Sequence, residues 1–282
     1  MRGVKRIAVA GALATMIAVV VAGQTKGSIE AASAPPKLVV LVYQKFSFDK
    51  GSDHDTWEIA TARACQKLAV PNSWIVLDSI TGEPEVLSFD PFDSIAQMER
   101  AVTEWGPIYA GHPELGRLQA QINGALTSQR TLIAVRREEL SYRANRIDLS
   151  KARFMRVLQV RVHPGREEEF AEAFKKLSAA YEKTESDLPW VVYQVNLGMP
   201  SPTFLAFVPM KALGQNDDLL KRRESLRTAE GDAAERIQQI AREAYASTES
   251  NVYAISAGKS HVSKEFAEGD PEFWVPKPAG KP

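Results

Sequence analysis

The chain has 282 residues, 44% of them hydrophobic and 25% charged, with 35 Lys+Arg set against 35 Asp+Glu. That length holds two domains of ordinary size, each with a core of its own. The balanced charge supplies no net field for nucleic acid or an anionic membrane, which argues against a polyanion-binding role.

Arg2, Lys5 and Arg6 precede an unbroken apolar or small run from Ile7 to Ala22, and Val21-Ala22-Gly23 offers small residues for cleavage. Residues 1–23 therefore read as a secretory signal peptide, the run being shorter than the roughly 20 residues a membrane span needs. The expected location is periplasmic or secreted, with no stable membrane association after cleavage. Residues 24–36, small and polar and ending in Pro35-Pro36, read as a flexible leader. Cys65 is the only cysteine, so an internal disulfide is excluded; among Ala62 and Ala64 it is expected to be a buried small hydrophobe.

Leu38 to Gln44 is the first predicted strand. Asp53-His54-Asp55 follows, offering donors that a metal could use or, more commonly, a cap for the next helix. No metal is expected. The spacing of Trp57, Thr61, Ala64 and Leu68 predicts that helix and its buried face. Strands beginning at Trp74 and Val86 form a hairpin; Ile95, Met98, Val102 and Trp105 mark a second helix, Leu115, Leu118 and Ile122 a third, and Leu132 to Val135 a closing strand. The first unit spans 37–142 and a linker 143–152.

The second unit, 153–262, repeats the order. Phe154 to Val162 is a strand ended by His163-Pro164-Gly165. Glu167, Glu168 and Glu169 then open a helix whose Phe170, Phe174, Leu177 and Tyr181 share a face. Trp190 to Leu197 and Thr203 to Val208 form the hairpin, a helix runs from about Thr228 to Ala246, and Asn251 to Ser256 closes the unit. Residues 263–282 form a Pro-rich tail in which composition predicts disorder, with Phe273 and Trp274 available to dock.

The duplication shows in the letters. Trp74 and Trp190 each stand eight positions before a Gly of a Gly-x-Pro hairpin, Gly82 and Gly198. The order β-α-β-β-α-β is the ferredoxin-like unit, whose sheet has helices on one face and leaves the other bare. The predicted fold is therefore α+β: two tandem units packed sheet to sheet. The run Val160-Arg-Val-His-Pro-Gly-Arg-Glu-Glu-Glu-Phe170, with Trp190-Val-Val-Tyr and the Gly198-x-Pro hairpin, resembles the dimeric α/β-barrel superfamily, nearest to NIPSNAP-like and antibiotic-biosynthesis-monooxygenase-like domains. The resemblance implies an intramolecular barrel, and a function drawn from a range that includes cofactor-free monooxygenases and haem enzymes; fold alone does not choose among them.

Alternation places the aliphatic Leu158, Val160 and Val162 under the helices and assigns Gln159, Arg161 and His163 to the space between the sheets. The same logic adds Trp190, Gln194 and Asn196, their first-unit counterparts Trp74 and Asp78, and Tyr43, Lys45 and Ser88. This polar lining predicts a pocket for a small molecule. No catalytic residue is assigned. Haem is an unfavoured alternative because none of the four histidines falls on a late helix of the second unit. The leading expectation is an exported small-molecule binding or sensing protein, with oligomers open. The alternatives are a cofactor-independent monooxygenase or haem-handling enzyme, and a structural domain with a dry core.

Overall fold

The computed structural model describes residues 33–184 and 187–275. The signal-peptide reading, residues 24–32 of the leader and the last seven residues lie outside the described residues. The first half comprises β1 (Leu38–Phe46), α1 (Gly51–Lys67), β2 (Trp74–Ser79), β3 (Val86–Phe92), α2 (Ile95–Gly111), α3 (Pro113–Ala125) and β4 (Leu126–Arg136). The second comprises β5 (Phe154–Val162), α4 (Glu167–Lys183), β6 (Val191–Leu197), β7 (Thr203–Met210), α5 (Gln215–Glu230), α6 (Asp232–Ala244) and β8 (Tyr245–His261). Two short helices, α7 (Lys264–Ala267) and α8 (Pro271–Trp274), follow. Among the described residues, no helix is long and apolar enough to cross a membrane.

The eight strands close in the order β1-β3-β2-β8-β5-β7-β6-β4, every pairing antiparallel. This is the predicted α+β fold, and it shows how two bare sheets satisfy each other. They face across a shared interior, and their edges pair at β2–β8 and β4–β6, so no unpaired edge strand borders the sheet. Leu41, Leu77, Leu87, Leu132, Val157 and Leu205 point inward, and Phe89, Tyr193 and Phe207 meet edge-on in the middle. The barrel centre is apolar and closely filled.

The hairpins that carry the repeat seal the seams. Gly82 and Gly198 adopt φ of +83° and +95°, which side chains other than glycine rarely adopt. A Cβ on Gly198 would lie 2.1 Å from the Thr131 carbonyl oxygen of β4, and one on Gly82 would lie 2.6 Å from the Asn251 side chain of β8. Each half's hairpin thus presses on the last strand of the other half.

Outside the second sheet, Phe170 and Phe174 of α4 and Ile240 of α6 pack on Val160, Val192 and Phe204, with the Phe170 and Phe204 rings stacked at 4.1 Å. This is the face that the Phe170 spacing predicts. α1 differs. Its buried residues are His54, Ala62 and Cys65 instead of the Trp57 series, so the helix is rotated from the face that apolar spacing selects. Nor does Asp53 or Asp55 cap it: α1 starts at Gly51, Asp53 lies in its first turn, and the N-cap Lys50 makes no side-chain cap bond. Cys65 is buried, and burial pushes its thiol up to about 11.

The linker and residues 263–275 of the tail are part of the core. Residues 138–151 coil through three short turns that bury Ala144, Ile147 and Leu149 against one end of the barrel. Phe266 and Trp274 bury there too, and the Trp274 indole donates to the Ser150 carbonyl at 2.7 Å. Arg153 pairs with Asp270 and lies 3.9 Å over the Phe273 ring. The helix expected from about Thr228 to Ala246 is α6, which starts later, at Asp232, because Gly231, with φ of +50°, separates it from α5. β8 then begins at Tyr245, earlier than Asn251, because its first residues pair with β5.

Candidate functional site

Toward the end opposite this plug, the inward side chains change from apolar to polar within two residues on four strands. Leu41 gives way to Tyr43 and Lys45, Leu132 to Arg130 and Ser128, Val157 to Gln159, and Tyr253 to Asn251 and Glu249. They surround an open cavity of about 240 Å³, completed by Glu83 and Glu85 from one hairpin and Met199 from the other.

The Tyr253 hydroxyl, on a ring 2% exposed, donates to Glu85 Oε1 at 2.7 Å. Burial holds the Glu85 carboxyl above its ordinary range, and the Tyr253 bond only partly offsets this. Burial first, then the Glu85 bond, keeps the Tyr253 phenol far above its usual value. Tyr43 is likewise held protonated, by burial and then by Glu85 and Glu249. Lys45 forms an exposed ion pair with Glu83, and that bond raises the ammonium. A carboxyl poised to accept a proton, beside two phenols that keep theirs, is equipped for hydrogen bonding and proton transfer.

Of the residues assigned from sequence, Tyr43, Lys45 and Gln159 meet in this lining. Arg161 continues the Gln159 face but is exposed beyond the cavity, and His163 is exposed in the turn after β5. Six others lie on the outer surface of the barrel. β2 and β6 turn Ile75 and Leu77, and Val191, Tyr193 and Val195, inward, and this sends Trp74, Asp78, Trp190, Gln194 and Asn196 outward. The Trp190 indole sits under α4 and donates to the Leu140 carbonyl at 2.9 Å; that of Trp74 donates to the Lys259 carbonyl at 3.0 Å. Gln194 accepts from Arg137, Asn196 is exposed, and Ser88 donates to Asp90 at 2.5 Å. Sequence reasoning missed Glu83, Glu85, Arg130, Met199, Glu249 and Tyr253. Extending the alternation of β8 backward from Tyr253 would have reached Glu249; nothing in the letters marks Glu85.

A second polar group lies outside the barrel, under α1. The ladder between β2 and β8 slips between Val76↔Ser256 and Trp74↔His261, and Ser260 Oγ replaces a backbone acceptor for the Val76 N–H at 2.9 Å. The displaced segment aims Lys259, 6% exposed, at Asp78 (2.7 Å) and Asp55. Beside them His54 is wholly buried, with neither ring nitrogen hydrogen-bonded and Nε2 3.8 Å from Glu58 Oε1. Burial pushes Glu58 up to about 7; burial, then Lys259, holds His54 below its ordinary value. Among the described residues, no three His, Cys, Asp or Glu side chains are grouped to hold a metal.

Haem iron takes His, Cys, Met or Tyr as its protein ligand. The mouth supplies no His or Cys, its phenols remain protonated, and Met199 is its one sulfur. His54 and His261 are buried outside the barrel. These residues do not fit haem at the mouth.

No protein-family model matches the chain, and no curated protein does. Solved structures do. The chain is similar to an anthrone oxidase-like protein, at 14% identity over 79% of this chain and 93% of that one, with a TM-score of 0.51. It is similar to a candidate monooxygenase from Fusobacterium nucleatum, at 9% identity over 78% and 93%, with a TM-score of 0.50. A mutant chlorite dismutase from Candidatus Nitrospira defluvii aligns at 8% identity over 81% and 95%, with a TM-score of 0.49. At such identities the first two likenesses show the fold alone, the dimeric α/β barrel, here with both units in one chain.

Proposed function

We propose that this chain is an exported protein that binds a small polar molecule at the open end of its barrel. The observation that carries this is the asymmetry of the two ends: Phe266 and Trp274 plug one, while the other opens into about 240 Å³ lined by Tyr43, Glu85, Gln159 and Tyr253. The dry centre suits a structural domain, and the Glu85–Tyr253 hydrogen bond at the open end is the polar feature that favours a ligand there. Export rests on the N-terminal reading of residues 1–23, and the tandem NIPSNAP-like or monooxygenase-like assignment on the motifs of the second unit. Native mass spectrometry of the chain from residue 24 tests the binding. The expected result is a small-molecule adduct that Gln159→Trp, which fills the mouth, removes. An identical spectrum for both proteins sinks the reading.

A second reading follows from the Glu85–Tyr253 pair. Glu85 could take a proton from an activated CH2 group, and the carbanion would react with dioxygen to give a carbonyl and water without a cofactor. Oxygen uptake with anthrone as the probe, abolished by Glu85→Gln, is the expected signature. No uptake above buffer removes this reading and leaves the binding one standing.

A further inference from the structure

The two units supply opposite charges from equivalent positions. On the last strand of the first unit, Arg130 pairs with Tyr43 of β1; on the last strand of the second, Glu249 pairs with Gln159 of β5. Both face inward, and both line the mouth. β4 and β8 are four strands apart in either direction around the wall, so Arg130 and Glu249 stand on opposite sides of the opening. An eight-stranded wall is roughly 15 Å across between backbones, and two long side chains leave space between their charged ends for a few atoms.

The other charges at the mouth are engaged. Lys45 is paired with Glu83, and Glu85 accepts from Tyr253. Among the described residues Arg130 has no ion-pair partner, and Glu249 has a hydrogen bond from Asn251 Nδ2 at 2.6 Å and lies in the field of Lys45 without an ion pair to it. Tyr43 lies within the field of both: Arg130 eases ionisation of its phenol and Glu249 opposes it. A plain anion at this mouth would meet Arg130 but face the carboxylate of Glu249, and a plain cation the reverse.

We propose that the ligand is a small zwitterion, an amino acid or a close analogue, with its carboxylate on Arg130 and its ammonium on Glu249. The proposal rests on the reading of the mouth as a binding site and adds the ligand's class and direction. Arg130 offers the fork that matches a carboxylate, and Val157 and Met199 supply the apolar surface between the two ends.

Calorimetric titration of the chain from residue 24 tests this, with γ-aminobutyrate and a panel of α-amino acids as zwitterions and butyrate and butylamine as single-charge controls. At least one zwitterion is expected to bind about tenfold or more tighter than both controls. Arg130→Gln and Glu249→Gln should each cost about tenfold, and the exchange Arg130→Glu with Glu249→Arg should recover most of it by holding the ligand in the opposite direction. A merely structural role for either residue would show no such rescue. Controls that bind as well as the zwitterions, an exchange no better than the single variants, or no binding by any probe overturns the proposal. An adduct present on the unsubstituted chain and lost in Gln159→Trp then keeps the binding reading alive; no difference between those two ends both.

Discussion

At one end of the barrel the segments that follow the last strand of each unit, 138–152 and 263–275, fold inward and bury Ile147, Leu149, Phe266 and Trp274. At the other end the two hairpins stand open over carboxylates, phenols and a guanidinium. The plug is built from two unrelated segments, a linker and a tail, that serve one use, whereas the mouth is built from duplicated strands and hairpins that have diverged. Where they differ, at Arg130 against Glu249 and Tyr43 against Gln159, they line a cavity. The two ends should therefore answer mutation in opposite ways.

The largest effect belongs to the plug. Trp274→Ala is expected to cost about 3–5 kcal/mol, because a buried indole and its bond to Ser150 are both lost. Thermal unfolding followed by circular dichroism should show a midpoint about 10 °C lower; an unchanged midpoint would mean the tail is only an appendage. Next come the seam glycines. Gly198→Ala meets backbone and should lose about 2–4 kcal/mol, whereas Gly82→Ala meets the movable Asn251 side chain and should lose about half as much. Equal losses in a denaturant series would refute this account of the seams.

The cluster under α1 gives an effect with a sign. Glu58 titrates at about 7 in the fold against 4.5 as its ordinary value. A raised folded pKa favours folding fully below the unfolded value, and this contribution is lost as pH rises through the folded one. Glu58→Gln should therefore stabilise by on the order of 2 kcal/mol at pH 8 and by little at pH 5. Unfolding curves at the two pH values check it, and a gain confined to pH 5 would reverse the assignment. His54 acts in the opposite sense, since a depressed pKa makes its contribution disappear as pH falls. The smallest effect is at the mouth: Tyr253→Phe should cost about 1 kcal/mol for the lost bond to Glu85 while impairing ligand binding. A loss as large as that of Trp274→Ala would make the mouth a structural element.

Much of the architecture was legible because it is written in periodicities. The Phe170, Phe174, Leu177 and Tyr181 series and the doubled Trp-to-Gly passage place every strand of the barrel in order. Site residues were harder, since which face of a strand turns inward is decided by its neighbours. The facing of β5 was legible because Leu158, Val160 and Val162 declare the helix side; β2 offers apolar residues on both faces, and the bulk of Trp74 pointed to the one that lies outside the barrel. α1 failed for a different reason. It turns His54 and Glu58 toward Lys259, just over two hundred residues away, and no local pattern carries that.

The last strand in chain order holds the barrel shut. β8 makes the β2–β8 seam as well as the edge of its own sheet, and Trp274, after it, fastens onto Ser150, whose neighbour Leu149 donates to the Ser33 carbonyl at 2.9 Å. A chain growing from its N-terminus can assemble the first sheet but keeps both seam edges without partners until the second unit follows. Completion waits for residues 245–274. During synthesis the molecule is an open, unlocked ribbon for most of its length, and its closing contacts span the greatest distances in sequence, which makes slow, all-at-once folding the expected behaviour.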